Sequence, residues 1–174
     1  VQFVELENEL VSLKFLSQKD FEKLYAVGSN PEIWAQHPYS SRYTSEGFST
    51  YFGKLMATDC PFLIMDKRLN DVIGATSFYE YDIKQKSVAI GYTFLDTSYW
   101  GGIYNQSIKK IMLDYAFQFV DKVIFHVGDK NIRSQQALAK IGAQLENSYP
   151  NSLSPTSMQL EFVIHKSQYY KEVV

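Results

Sequence analysis

A single mixed α/β domain is what the sequence predicts, and three observations carry it. Hydrophobic residues make up 45% of the chain and charged residues 21%, the ordinary globular balance. The apolar period changes from helical to alternating and back along the chain. No internal repeat, low-complexity tract or linker divides the 174 residues, so one domain over residues 1–174 is expected.

The elements follow in order. Leu10 to Leu16 alternates, with Val11, Leu13 and Phe15 on one side, and reads as a strand with one buried face. Ser17 with Asp20 three positions on caps a helix bearing Phe21, Leu24 and Tyr25. Asn30-Pro31 opens a short helix that Pro38 limits, with Trp34 and His37 three apart. Thr44 or Ser45 caps a third helix carrying Phe48, Tyr51, Phe52 and Leu55. Phe62 to Asp66, Val72 to Tyr81 and Lys86 to Leu95, separated by turn-like stretches, predict an antiparallel meander. After Trp100-Gly101-Gly102 a long helix sets Tyr104, Ile108, Ile111, Met112, Tyr115 and Phe119 inward, with Lys109, Lys110, Asp114 and Gln118 opposite. A strand at Val123 to Val127, a helix from Asn131 to Ile141 stopped by Gly142, and a last strand from Met158 to His165 complete the chain.

Charge and composition exclude several functions. Lys plus Arg number 17 against 19 Asp plus Glu, so no general positive field exists for a nucleic-acid backbone. The apolar runs are too short for a membrane span, and the start Val1-Gln2-Phe3-Val4-Glu5 lacks the pattern of a secretory signal, so a soluble, cytoplasmic protein is expected. Cys60 is the lone cysteine, and His37, His126 and His165 are too far apart for a local zinc pattern, so no metal is expected.

The chemistry concentrates between Ala89 and Gln106. A strand that ends in a glycine-bearing turn against a helix start gathers unpaired N–H groups and the positive end of a helix dipole, which suits a phosphate or pyrophosphate. The same segment also reads as an ordinary strand-to-helix turn. Its string Ile90-Gly91-Tyr92-Thr93-Phe94-Leu95, Tyr99-Trp100-Gly101, Asn105 and Asp114-Tyr115-Ala116-Phe117 resembles the GNAT family of acetyl-CoA-dependent N-acetyltransferases, in its RimJ/RimL-like branch. Asn131-Ile132-Arg133-Ser134, then Ala137-Leu138, Lys140, Gly142 and Ala143, is similar to the family's helix beside the CoA tail.

The resemblance implies the GNAT fold, a mixed and mostly antiparallel twisted sheet of six to seven strands flanked by helices. It implies that Phe94 and Leu95 pair with the pantetheine arm, that the turn Trp100, Gly101, Gly102, Ile103, Tyr104, Asn105 and Gln106 holds the pyrophosphate, and that Asn131 and Ser134 face the arm from the other side. Asn131 reads equally as a helix N-cap, and Trp100 as a core aromatic. Trp34, His37, Tyr39 and Tyr92 stand where such enzymes bind the acceptor amine, though Trp34 also suits the core. A homodimer is compatible with the pattern.

Two positions depart from it. Ile103 replaces a usual Gly, and its branched Cβ restricts the backbone and crowds an approaching phosphate. Ala89 replaces a Glu that many relatives use on the amine. A mostly protonated amine, of pKa ~8 to 10, needs a proton acceptor, and Glu80 is the preferred one, with His126 second. Ser134 is the donor to the leaving thiolate. Glu80 also reads as a solvated strand end, Ser134 as a solvated first-turn residue and His126 as a packing group. The expected function is acetyl transfer from acetyl-CoA to a primary amine, a peptide N-terminus or a small molecule, by direct attack. The alternatives are a CoA-binding or sensing module that has lost the reaction, and an interaction domain without CoA.

Overall fold

The computed structural model describes residues 1–152 and 154–172. Its strands are β1 (Leu6–Glu7), β2 (Val11–Phe15), β3 (Cys60–Asp66), β4 (Asp71–Asp82), β5 (Ser87–Leu95), β6 (Lys122–Gly128), β7 (Gln144–Asn151) and β8 (Ser154–His165). Its helices are α1 (Phe21–Gly28), α2 (Pro31–Trp34), α3 (Ser45–Met56), α4 (Ile103–Ala116), α5 (Ile132–Lys140) and α6 (Lys166–Glu172). Local chemistry fixes many of the boundaries. Asn30 accepts from Glu32 N–H ahead of Pro31, Thr44 accepts from Gly47 N–H, and the Asp82 carboxylate accepts from Lys84 and Gln85 N–H to close the β4–β5 turn.

The strands form one sheet in the order β1-β2-β3-β4-β5-β6-β8-β7. Eight strands exceed the six to seven expected. The two-residue β1 and the mostly exposed β7, whose Leu145 and Tyr149 are both solvent-facing, carry no alternating apolar signal, and α6 likewise escapes the periodicity. Neighbouring strands are antiparallel except β5 and β6, which pair in parallel at Ser87/Lys122, Val88/Val123 and Ala89/Ile124 only. Beyond Ala89 and Ile124, β5 runs on beside β4 and β6 beside β8, so the sheet splits into a wedge.

Strand alternation builds a core on each face of the sheet. Phe62, Ile64, Phe78 and Ile90 pack under α4, against Ile108 and Met112. Leu63, Ala75 and Phe94 pack under the first three helices, against Leu24, Trp34, Phe48, Tyr51 and Leu55. Each fully buried Leu, Ile, Phe or Met side chain among them contributes roughly 1.5–3 kcal/mol. Two expectations need correction. Phe15, the last residue of β2, is 51% exposed, its ring stacked on Phe62 at the end of the strand and outside the core cluster that holds Val11 and Leu13. Lys109 is buried at 6% exposure, not solvent-facing, because its side chain reaches the Thr93 hydroxyl and the Phe125 ring on the two parted strands, while its neighbour Lys110 stays exposed.

Candidate active site

The wedge is a cleft of about 500 Å³. Ile90 to Leu95 line one wall and Phe125 to Gly128 the other. A β-bulge marks the β5 wall: Tyr92, at φ +54°, and Thr93 together oppose Thr76 alone. The Tyr51 hydroxyl donates to the Tyr92 carbonyl and holds that bulge against α3.

At one end stands the glycine turn. Gly101 adopts φ +72°, a conformation that disfavours any Cβ, while Gly102 caps α4 with no side-chain partner, so the first N–H groups of α4 stay open. Trp100 donates its indole N–H to the Leu95 carbonyl at 3.0 Å and shapes the turn. Ile103 is the first residue of α4 and 62% exposed, so its backbone is helical and the restriction expected of its branched side chain falls away. The left-handed conformation belongs to Gly101. Trp100, Gly101 and Asn105 line the cleft, whereas Gly102, Ile103, Tyr104 and Gln106 do not. Tyr104 points into the core.

A buried carboxylate fastens this turn. Asp66 at the end of β3 accepts from the Tyr99 hydroxyl at 2.6 Å, from Arg68 N–H at 3.0 Å and from the Tyr104 hydroxyl at 3.3 Å. The Tyr99 bond leads in holding its carboxyl below the usual range. Tyr99→Phe should therefore destabilise the fold by about 2 kcal/mol, the worth of one hydrogen bond to a charged group. Denaturant titration measures it, and an unchanged midpoint would show that Asp66 does not anchor the turn.

From the opposite side α5 presents Ser134 to the cleft, while Asn131, 6% exposed, caps that helix by accepting from Ser134 N–H at 3.3 Å. The Arg133 guanidinium lies 3.6 Å from the Trp100 ring centroid and donates to the Ile33 carbonyl at 3.3 Å, joining the turn to α2. Lys109 completes this end. Its ammonium donates to the Thr93 hydroxyl at 3.1 Å and sits 5.9 Å from the Phe125 ring centroid, and burial lowers its pKa to about 8.

Around α2 and the turn that follows it, Trp34, His37 and Tyr39 line the cleft. Trp34 is also a core residue, 2% exposed, with its indole N–H on the Gly28 carbonyl. His37 Nδ1 accepts from Tyr39 N–H at 3.0 Å, and burial, with Arg42 and Arg133 nearby, pushes its pKa down to about 3. It is a neutral imidazole and a poor proton acceptor.

The sequence placed His126 only as a second candidate, and the structure gives it partners. Its Nδ1 lies 2.6 Å from the Tyr79 hydroxyl and its Nε2 3.4 Å from the Glu161 carboxylate. Glu161 can only accept, so Nε2 carries the hydrogen and Nδ1 accepts from Tyr79. Gly91 permits this: a Cβ there would lie 2.8 Å from the Tyr79 ring, which lies against β5 on its way from β4 to β6. Burial raises the Tyr79 pKa, so the phenol stays protonated. Glu80, at φ +51° in a second bulge, is exposed on the rim. Ala89 is wholly buried where β5 and β6 still pair, at the closed end of the wedge.

A family profile described as an acetyltransferase (GNAT) domain matches residues 11–144, most of the chain. The chain belongs to the GNAT acetyltransferase family. Similar solved structures include a GCN5-related N-acetyltransferase from Brucella melitensis, at TM-score 0.84 and 16% identity over 98% of this chain and 82% of that one. A spermidine N-acetyltransferase from Vibrio cholerae, in complex with CoA and spermine, aligns at TM-score 0.70 and 17% identity over 94% of this chain and 99% of that one. A ribosomal-protein-S5-alanine acetyltransferase from Vibrio fischeri aligns at TM-score 0.70 and 16% identity over 96% of this chain and 99% of that one. None of the curated protein sequences matches this chain. The chain is thus a GNAT N-acetyltransferase with one mostly antiparallel sheet. Among its described residues, no helix is long and apolar enough to cross a membrane, and no group of three His, Cys, Asp or Glu is placed to hold a metal.

Proposed function

We propose that this GNAT protein transfers an acetyl group from acetyl-CoA to a primary amine by direct attack, as a cytoplasmic member of the RimJ/RimL-like branch. The observation that carries the reading is the split between β5 and β6, with the open N-terminus of α4 at one end and the Tyr79–His126–Glu161 chain beside it. Acetyl-CoA, when bound, supplies the thioester that the amine attacks. Trp100, Gly101 and the first N–H groups of α4 suit its pyrophosphate, with the exposed Gly102, Ile103 and Gln106 flanking and Tyr104 contributing backbone alone. Phe94 and Leu95 suit its pantetheine arm, with Asn105, Asn131 and Ser134 around it.

The residues of the chain divide the remaining work. Glu80 offers a carboxylate on the rim where an ammonium arrives. The Tyr79 hydroxyl passes its proton to His126 Nδ1 as it takes one from the amine, and Glu161 steadies the imidazolium that results. The N–H groups of the Tyr92–Thr93 bulge, freed from register with β4, stabilise the negative charge that develops on the carbonyl oxygen, a contribution of ~3 kcal/mol per donor. Ser134 returns a proton to the sulfur. Trp34, His37, Tyr39 and Tyr92 form the acceptor wall.

CoA should raise the melting temperature, since a ligand selective for the native state adds ~2.7 kcal/mol at a hundredfold excess over Kd. Thiol release over a broad amine panel then reads turnover. No thermal shift at millimolar CoA would remove the CoA site, and a shift without turnover of any amine would leave a CoA-binding module in place of an enzyme.

A further inference from the structure

The cleft is lined by positive charge that, among the described residues, no carboxylate pairs with directly. Four cations line the cleft, Arg42, Lys54, Lys109 and Arg133, against one carboxylate, Glu80. Among the described residues none of the four makes an ion pair within 4.0 Å. Arg133 and Lys109 stand toward the glycine turn and α4. Arg42 and Lys54 stand beside Tyr39, with Arg42 also against His37, and Arg133 lies close enough to act on His37 as well.

Arg42 is the telling residue. It is 8% exposed, and its guanidinium lies 4.9 Å from the ring centroids of both Tyr39 and Tyr51 and 5.6 Å from that of Trp34. Among the described residues, the one side-chain group within hydrogen-bond distance of it is His37 Nε2, at 3.3 Å. Because His37 is neutral and its Nδ1 already accepts from Tyr39 N–H, Nε2 carries the ring hydrogen and cannot accept from Arg42. A planar five-donor cation is thus fixed between aromatic faces beside the acceptor wall without a carboxylate or an imidazole lone pair to receive its hydrogens. Lys54, exposed on α3, has its ammonium 5.4 Å from the Tyr39 ring centroid and so adds a second positive charge at the same place.

We propose that the acceptor is a primary amine that carries a carboxylate in the same molecule, held with that carboxylate against Arg42 and Lys54 and its amine toward His126 and Glu80. This rests on the transferase reading above and narrows it. An arginine fork matches a carboxylate, and burial removes the competing water. A polyamine is the opposite case: its further ammonium groups would face Arg42 and Lys54, while the aromatic faces that could receive them are occupied by the guanidinium. The bound spermine of the Vibrio cholerae neighbour therefore does not transfer to this cleft.

The test uses matched amines on the intact protein. Amino acids, their carboxamides, their decarboxylated counterparts and spermidine are compared by CoA thiol release. The carboxylates should show kcat/KM at least about tenfold above their partners, and Arg42→Met, which keeps the stem among the rings, should cost them about 10²-fold or more, the scale of removing one partner of a buried charge pair. Arg42→Lys, retaining charge without the fork, should fall between. Equal or better turnover of the carboxamides or spermidine by the unaltered protein overturns the proposal, whether or not the variants fold. If no amine is acetylated, the transferase reading fails by itself, and calorimetry of the CoA-bound protein with N-acetyl amino acids against their amides decides the remainder. Preference for the carboxylate, abolished in Arg42→Met, upholds an anion site in a non-catalytic module, and absence of preference removes it.

Discussion

His126→Gln should lower kcat by about 10²-fold at neutral pH and leave CoA affinity nearly unchanged, the usual size of a lost proton-transfer group. Glutamine fills similar space and can donate to Glu161, but it cannot become the cation that Glu161 is placed to steady. Tyr79→Phe should lose activity by a comparable route, since the hydroxyl 2.6 Å from Nδ1 is the proposed path of the proton to the ring. Raising the pH toward 9 or 10 should restore part of either loss, because solution then supplies the neutral amine. The measurement is a pH profile of thiol release for both variants beside Glu80→Gln. A His126→Gln enzyme that keeps its rate from pH 6 to 9, with Glu80→Gln carrying the deficit instead, would move the proton acceptor to the rim.

That division between rim and interior shows where sequence reading stops. Glu80 and His126 stand on strands whose existence the alternating pattern predicts, yet neither pattern says which side chain reaches its neighbour across a third strand. Tyr79 meets His126 over a glycine on β5, a contact between residues 47 apart that depends on register and on a missing Cβ. Helical periodicity placed Lys109 outside because α4 has one strongly apolar stripe. Lys109 instead reaches between the parted strands to Thr93 and Phe125, a contact set by β5 and β6 rather than by the helix's own stripe, while Lys110 beside it stays exposed. Arg42 lies in a short turn, Ser40–Tyr43, with no periodicity, and its burial comes from Tyr39, Tyr51 and Trp34, which meet only after folding. The glycine turn was the legible part. A strand, two glycines and a helix are local features, and even there the left-handed residue is Gly101, so the branched Ile103 meets no backbone penalty.

Lys109→Met should stabilise the fold at pH 7 by about 3 kcal/mol, and the gain should shrink as pH rises from 8 to about 10.5. In the unfolded chain a lysine titrates near ~10.4, whereas burial holds Lys109 at about 8 in the fold. Below pH 8 both states carry the charge, and the native state bears the whole cost of keeping an ammonium between the Thr93 hydroxyl and the Phe125 ring without a carboxylate. Between the two pKa values the unfolded chain binds a proton that the native state does not, so the stability of the unaltered protein climbs with pH. Above both values the amine is neutral in each state and the penalty is gone. Methionine has similar length and no charge, so its variant lacks this dependence, and the difference between the two proteins isolates the one site from the tyrosines that titrate over the same range. Urea midpoints at pH 7 and pH 10 measure it. A variant less stable than the parent at pH 7, or a gain that does not fall with pH, would mean that the ammonium finds compensation in the cleft that its hydrogen bond to Thr93 alone does not provide.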